Sequence, residues 1–409
     1  MRDTWRRARF REMWATKGAF GVVDDDADGA RNPVRRAGWQ DVSLGEIMAL
    51  EYGKALKDVD RDGGDYPVYG SAGIVGWHSK AWVTEAPWIV VGRKGTAGSV
   101  HLVRSPGWPI DTTYWVSSKS SSVLVEFLYL LLQAADLPKL CAQTGVPGLN
   151  RERVYALKVL LPPLGEQRRI VDLISSIDQA IEAAKPLISL VDAVWASLIA
   201  KETSEVEQIG LREVVATAKA GGTPSRDRPD FYNGDIPWLK SGEVANGEIS
   251  EAEEAITEKG LANSSAWLVP AGAVLVAMYG ATAGAVGYLQ RPMATNQAVL
   301  ALIGEPSQVD QRFLYHWLRS RAEHMKARAT GAAQPNLSKA RVLEEPFPLL
   351  DVESQRGLSI TLDSILDIAD QAKKFVSVAT SLRNQLGAAL LSGEHTIPES
   401  YDHLLEDAS

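Results

Sequence analysis

The chain matches itself at a long interval. GTAGSV at 95–100 parallels ATAGAV at 281–286, and FLYLLL at 127–132 parallels FLYHWL at 313–318, both at an offset of 186 residues. Thr144-Gly145 matches Thr330-Gly331 at the same offset, whereas Leu149 matches Leu337, Val154 matches Val342 and Gln167-Arg168 matches Gln355-Arg356 at 188. Two inserted residues account for the change. Solenoid repeats run about 20–50 residues, so this period points instead to a tandem of two similar halves, each large enough for its own core.

Each half has two textures. Residues 39–160 and 206–350 mix Gly, Trp and β-branched runs such as Trp88-Ile89-Val90-Val91 and Ala273-Val274-Leu275-Val276 with one apolar helix near Phe127 or Phe313, the pattern of a compact α/β (α+β) domain. After the proline-bounded segments LLPPL and EEPFPLL, a helical pattern takes over, predicted at 161–205 and 351–395 with about 35 helical residues each. In the first, Ile174, Ile181, Ile188 and Trp195 alternate with Ile177, Ala184, Val191 and Leu198 as a heptad seam. Adding 188 gives Leu362, Ala369, Val376 and Leu390 with Ile365, Ala372, Ala379 and Leu386, and Arg383 is the one polar member. A bare apolar seam needs a like partner, so the two helices are expected to pair antiparallel as a rod of about 50 Å. Pro186 is expected to kink the first helix. Residues 1–38 read as a loose extension and 396–409 as a tail.

Composition excludes several classes. The single cysteine, Cys141, rules out a disulfide framework or a multi-thiolate metal site and suits a reducing, cytoplasmic setting. Six scattered histidines show no metal-ligand spacing, so no metal site is expected. The basic N-terminus lacks the apolar stretch of a signal peptide, and no run of about 20 apolar residues suggests a membrane span. GRKGTAG at 92–98 lacks the phosphate-cradling P-loop spacing, and no nucleophile elbow, deaminase, nuclease or amino-methyltransferase signature occurs. No catalytic residue is assigned.

The repeated loops offer binding chemistry instead. Glycines 92, 95 and 98 permit close approach of a ligand, with Arg93, Lys94 and Thr96 as candidates for DNA phosphates or base edges. Tyr279 and Thr282 stand in the second copy; a plain solvated turn is the alternative. The segments QTGVPGLNRERV and ATGAAQPNLSKARV precede the last strand of each domain. There Asn150 or Ser338 is expected to cap a short helix carrying Arg151 and Arg153, or Lys339 and Arg341. Gln143, Lys240, Gln297 and Gln334 are further polar candidates for DNA contact. Trp77, Trp82, Trp88 and Trp115 are expected in the core.

A net charge of -8 speaks against a uniformly basic DNA binder. By segment, however, residues 1–40 carry +3, 41–160 none, 161–205 -3, 206–350 -2 and 351–409 -6. The helices and tail hold the acidity, which suits protein partners, and the near-neutral domains are free to present basic faces.

LPPLGEQRRIVDLISSIDQAIEAA resembles the conserved region of the specificity subunit of type I restriction-modification systems. YPVYGSAGIVGW, GRKGTAGSV, GDIPWLKSGEV and YGATAGAVGYL resemble its target recognition domains. The second signature, FPLLDVESQRGLS, keeps Gln355-Arg356 without the preceding Glu. The resemblance covers residues 39–395. It implies two recognition domains, each reading one half of a bipartite double-stranded DNA target. It also implies a coiled coil that includes Ile174, Ile177, Ile181, Ile188, Leu362, Ile365 and Leu386 and recruits two modification (methyltransferase) subunits, with restriction subunits that translocate and cut DNA joining later. The chain itself would be a non-catalytic targeting subunit without a cofactor; S-adenosylmethionine, ATP and Mg would sit on its partners. A solitary homologue acting as a decoy or exchange partner is the alternative, and a single-chain enzyme is opposed by the missing motifs.

Overall fold

The computed structural model describes residues 38–141, 148–244, 247–329 and 336–403. Two compact units emerge. One comprises the described residues up to Ala183 and from Phe375 onward, the other Ala184–Lys374. Most of the expected loose extension, residues 1–37, lies outside the described residues.

In the first unit, a four-stranded antiparallel sheet runs in the order Met48–Tyr52, Thr113–Ser118, Trp88–Gly92, Val100–Val103. Its strand Trp88–Gly92 is buried throughout, as a continuous β-branched run in a covered sheet should be. The helix Val125–Ala134 packs Phe127, Leu128 and Leu131 into the same core. A smaller sheet joins Gly73–His78, Tyr66–Gly70 and Trp108–Pro109.

The second unit repeats the plan with a five-stranded sheet: Val215–Ala220, Val299–Gly304, Val274–Ala277, Val286–Leu289 and Gly247–Ile249. A four-stranded sheet of Glu254–Ile256, Tyr232–Leu239, Met293–Thr295 and Leu268–Val269 takes the place of the small one. The helix Gln311–Ser320 buries every residue from Phe313 to Leu318.

Both long helices have 40 residues rather than about 35: Leu164–Thr203 and Val352–Leu391. Their ends are related by the repeat offset of 188. The first runs as one helix through Pro186, which lacks the N–H for one ladder bond. Every seam residue named from the heptad is buried or half-buried. The antiparallel pairing is explicit in the first unit. There the Arg383 guanidinium pairs with Asp178 at 3.0 Å, and Gly387 lies against Ile174. Further out, Arg169 meets Asp402 at 3.0 Å and the Tyr401 hydroxyl donates to Asp172 at 2.6 Å. The end of the chain is therefore packed rather than loose through Asp402, with Ile397 buried in the domain core. In the second unit, Trp195, Ile199 and Leu362 share the core of the globular domain.

The signature glutamine has a local physical role. Gln167 is fully buried. Its Oε1 accepts from the Leu124 N–H at 2.9 Å, and its Nε2 donates to the Ser122 and Pro162 carbonyls at 2.8 Å each. Gln355 repeats the clasp bond for bond, with the Asp310 N–H at 2.9 Å and the Gln308 and Leu350 carbonyls at 2.8 Å. The amide fixes the start of each long helix to the turn that opens the domain helix. Gln167→Ala is expected to orphan three backbone groups and cost about 3 kcal/mol in denaturant unfolding. Exposed Arg168→Ala is expected to stay within about 0.5 kcal/mol.

A second tie, in the second half, has no counterpart among the described residues of the first. Fully buried His316 accepts from the Trp195 indole N–H at 3.2 Å through Nδ1 and faces Asp363 at 2.9 Å through Nε2. Burial lowers the His316 pKa below its ordinary value, and acceptance at Nδ1 assigns the neutral ring's proton to Nε2, facing Asp363. Burial alone would raise the Asp363 carboxyl, but the His316 and Arg312 hydrogen bonds outweigh it and hold its pKa at about 2. The domain is thereby anchored to both long helices. The corresponding residues of the first half, Leu130 and Ser175, cannot form this link.

The first long helix is long and apolar enough to pass for a membrane span by length and composition alone, with a mean hydropathy of 1.5 over its most apolar stretch, although charged residues such as Lys185 and Asp192 interrupt it. One seam accounts for part of that apolarity. The remainder includes Leu187, Leu190 and Val194, which are 40%, 60% and 47% exposed.

Candidate nucleic-acid interface

The glycine loops are held by their own backbone. Gly92 N–H donates to the Ser99 carbonyl and Gly98 N–H to the Gly92 carbonyl, both at 2.8 Å. The second copy has the same pair, Ala277 to Ala285 and Gly284 to Ala277, both at 2.9 Å, so its loop is one residue longer. Gly98 and Gly284 both have positive φ, at 86° and 88°, and a Cβ on either would come within 2.8 Å of backbone nitrogen, from Pro138 or Lys326. The close approach these glycines allow is therefore to the chain itself rather than to a ligand.

The same geometry brings separate motifs together. The Leu149 N–H donates to the Arg93 carbonyl at 3.0 Å, and Lys94 bridges to Gly148. In the second domain, Leu337 N–H donates to the Met278 carbonyl at 2.8 Å and Tyr279 bridges to Asn336. Each short helix thus starts beside its glycine loop. Asn150 caps the first through the Glu152 N–H at 2.9 Å, and Ser338 caps the second through the Arg341 N–H at 3.3 Å. These hydrogen bonds place Tyr279 where Lys94 stands and Met278 where Arg93 stands.

The third side of each corner is a strand end. The Gly53 N–H bonds the Thr113 carbonyl and the Gly221 N–H bonds that of Val299, each at 3.1 Å. A Cβ on either glycine would meet a carbonyl oxygen at 2.1 or 2.0 Å, so both places require Gly. The residue before them is Tyr52 in one domain and Ala220 in the other.

The first corner is cationic. Arg93 donates Nε and Nη2 to the Asp111 carbonyl at 3.0 and 2.6 Å. Its guanidinium lies 5.3 Å from the Tyr52 ring centre and that of Arg151 lies 5.4 Å from it. Lys94 and Thr96 are exposed. Tyr52, unremarked in the sequence reading, is 53% exposed and packs against Tyr114 at 5.2 Å.

The second corner presents neutral groups with one cation. Tyr279 is 44% exposed, exposed Gln297 accepts from the Thr223 hydroxyl, and Lys339 donates to the Ala218 carbonyl at 2.5 Å. Lys240 and Thr282 are likewise engaged within the domain. Lys240 is paired with Glu253 at 3.0 Å and Glu254 at 3.2 Å, and the Thr282 hydroxyl donates to the Ser241 carbonyl at 2.8 Å. Gln143 and Gln334 lie outside the described residues. Arg153 and Arg341 bond the Leu140 and Arg328 carbonyls within their own domains.

Two tryptophans depart from the core expectation. Trp88 is buried and Trp115 half-buried, but Trp77 and Trp82 are 47% and 46% exposed. Trp77 sits on the edge strand Gly73–His78, where alternate residues face outward. Trp82 lies under the Lys54 ammonium, 4.2 Å from the ring centre. Among the described residues no group of His, Cys, Asp and Glu forms a metal site.

Comparison with known proteins gives one consistent result. The family model described as the type I restriction modification DNA specificity domain matches twice, over residues 36–189 and 203–374. The type I restriction enzyme MjaIX specificity subunit of Methanocaldococcus jannaschii is 28% identical over 165 residues, covering 39% of this chain and 38% of that one. The chain thus matches about two fifths of that relative's length. The MjaVIII specificity subunit of the same organism is 22% identical over 332 residues, covering 73% of this chain and 76% of its own. The solved S subunit of the type I restriction-modification system from M. genitalium shares the fold with a TM-score of 0.63 at 17% identity, over 86% of this chain and 96% of that one.

Proposed function

Because the chain belongs to the type I restriction-modification DNA specificity family, we propose that it reads a bipartite DNA sequence, one half per recognition domain, and carries modification and restriction subunits to it. The observation that carries this reading is the pair of corners. Each is built from the same backbone hydrogen bonds in both domains, and each displays different side chains: Arg93, Lys94 and Arg151 in one, Tyr279, Gln297 and Lys339 in the other. Base edges differ in their donor and acceptor patterns, so one frame with two sets of side chains suits two different half-sites. The chain supplies no chemistry of its own; methyl transfer, translocation and cleavage, with their cofactors, belong to the partners.

The repeat also supports two equivalent docking faces for one kind of partner. Leu187, Leu190 and Val194 become Phe375, Val378 and Leu382 on adding 188, and these are 48%, 65% and 53% exposed. Both stripes lie outside the seam. Exposed apolar groups in ordered rows mark protein interfaces. Two copies of a modification subunit, each laying an amphipathic helix on one stripe, would cover them.

Two half-sites read by one chain imply a set spacer between them. Inserting one base pair into the unread spacer of the target is expected to abolish methylation by the assembled complex, as measured by methyl-group incorporation. Unchanged methylation would contradict two readers on one scaffold.

A further inference from the structure

Two arginines share one aromatic ring in the first domain, and among the described residues the second domain has no counterpart. The two guanidinium groups lie 5.3 and 5.4 Å from the Tyr52 ring centre, within reach of its electron-rich face. Arg93 is also tethered to the Asp111 carbonyl. Among the described residues the one carboxylate contact of Arg151 is the exposed Glu152, at 3.5 Å through Nε, and no hydrogen bond occupies the terminal nitrogens of its fork. Among the described residues neither Arg93 nor Lys94 has a carboxylate partner. In the second domain, Ala220 replaces Tyr52, buried Met278 replaces Arg93, and nearby Lys240 is neutralised by Glu253 and Glu254.

We propose that Tyr52 is a positioning residue that holds Arg151 to read a guanine in the first half-site, while Arg93 and Lys94 grip the adjoining phosphates. This rests on the DNA-reading function proposed above. A free guanidinium fork matches the two acceptors of a guanine edge in the major groove, whereas an ammonium does so without the fork. Phosphate contacts position the protein without selecting sequence. The two domains thereby divide the work: the first supplies most of the salt-sensitive grip, and the second reads largely with neutral groups.

The test uses the complex with its modification subunits and a random-sequence duplex library, read by selection and sequencing. Arg151→Ala is expected to reduce the preference for one G·C pair in a single half-site about ten-fold, and Arg151→Lys to restore little of it. Tyr52→Phe keeps the ring face and should match the unsubstituted complex, whereas Tyr52→Ala should approach Arg151→Ala with the other half-site unchanged. Lys94→Ala should weaken binding to all sequences alike and reduce the slope of log affinity against log salt by about 0.9. A bipartite preference that survives Tyr52→Ala intact, or relaxes in the half-site tied to residues 206–350, overturns this assignment alone. An unsubstituted complex that binds all DNA equally overturns the parent reading as well.

Discussion

Exchanging residues 206–350 for the matching segment of another family member is expected to change one half of the methylated sequence and leave the other half and the spacer intact. The expectation follows from where the hydrogen bonds close. The strand Gln208–Gly210 pairs with Pro346–Pro348, so the exchanged segment begins and ends at one two-stranded ribbon. Val274, Leu300, Phe313 and Phe347 pack together in a core that the long helices join through Trp195, Ile199 and Leu362. The contacts to preserve are those with the long helices, namely Trp195 with His316, Asp363 with Arg312, and Gln355 with the Asp310 N–H. A donor segment with apolar residues at 312 and 316 would leave Asp363 half-buried without its partners, a cost of about 3 kcal/mol or more. Exchanges that keep Arg312 and His316 should fold, and sequencing of methylated sites then reads the outcome. A change in both halves would refute the modular reading.

The second large effect concerns assembly. Leu190→Asp with Val194→Asp is expected to remove one bound modification subunit, and adding Val378→Asp with Leu382→Asp to remove both. All four side chains are about half exposed or more, so the isolated chain should lose little stability. Burying two unpaired carboxylates under a partner helix costs several kcal/mol, which exceeds a thousand-fold in affinity at about 1.4 kcal/mol per factor of ten. Native mass spectrometry of the co-expressed complex counts the subunits. By contrast, Ile177→Asp with Ile181→Asp strikes the seam itself, where Ile181 is 7% exposed, and is expected to unfold the helix pair along with the docking faces. Retention of two subunits by the four-residue variant would contradict docking on the stripes.

The duplication was legible because it repeats whole words, and the seam because heptad spacing survives two inserted residues. The rest required atoms. The apolar stripes share their helices with the seam, and periodicity alone does not separate a row buried against a sister helix from one left open beside it. Tyr52 went unremarked because its role depends on Arg93 and Arg151, which are 41 and 99 residues away in sequence. Lys240 looked like a free cation until the fold set Glu253 and Glu254 against it. Gln167 and Gln355 stood out only as landmarks of the repeat and of the signature, and both are spent on buried backbone groups. The glycine loops were located correctly as landmarks, but the extra residue in the second loop shifted the side-chain equivalence by one.

The most direct measurement is a map of methylated adenines in cells that carry the partner subunits, with and without this chain. The proposed function predicts a single motif that appears only with the chain, made of two specific halves separated by a constant number of unread positions. A continuous motif, or a methylation map indifferent to the chain, would contradict two recognition domains reading one bipartite site.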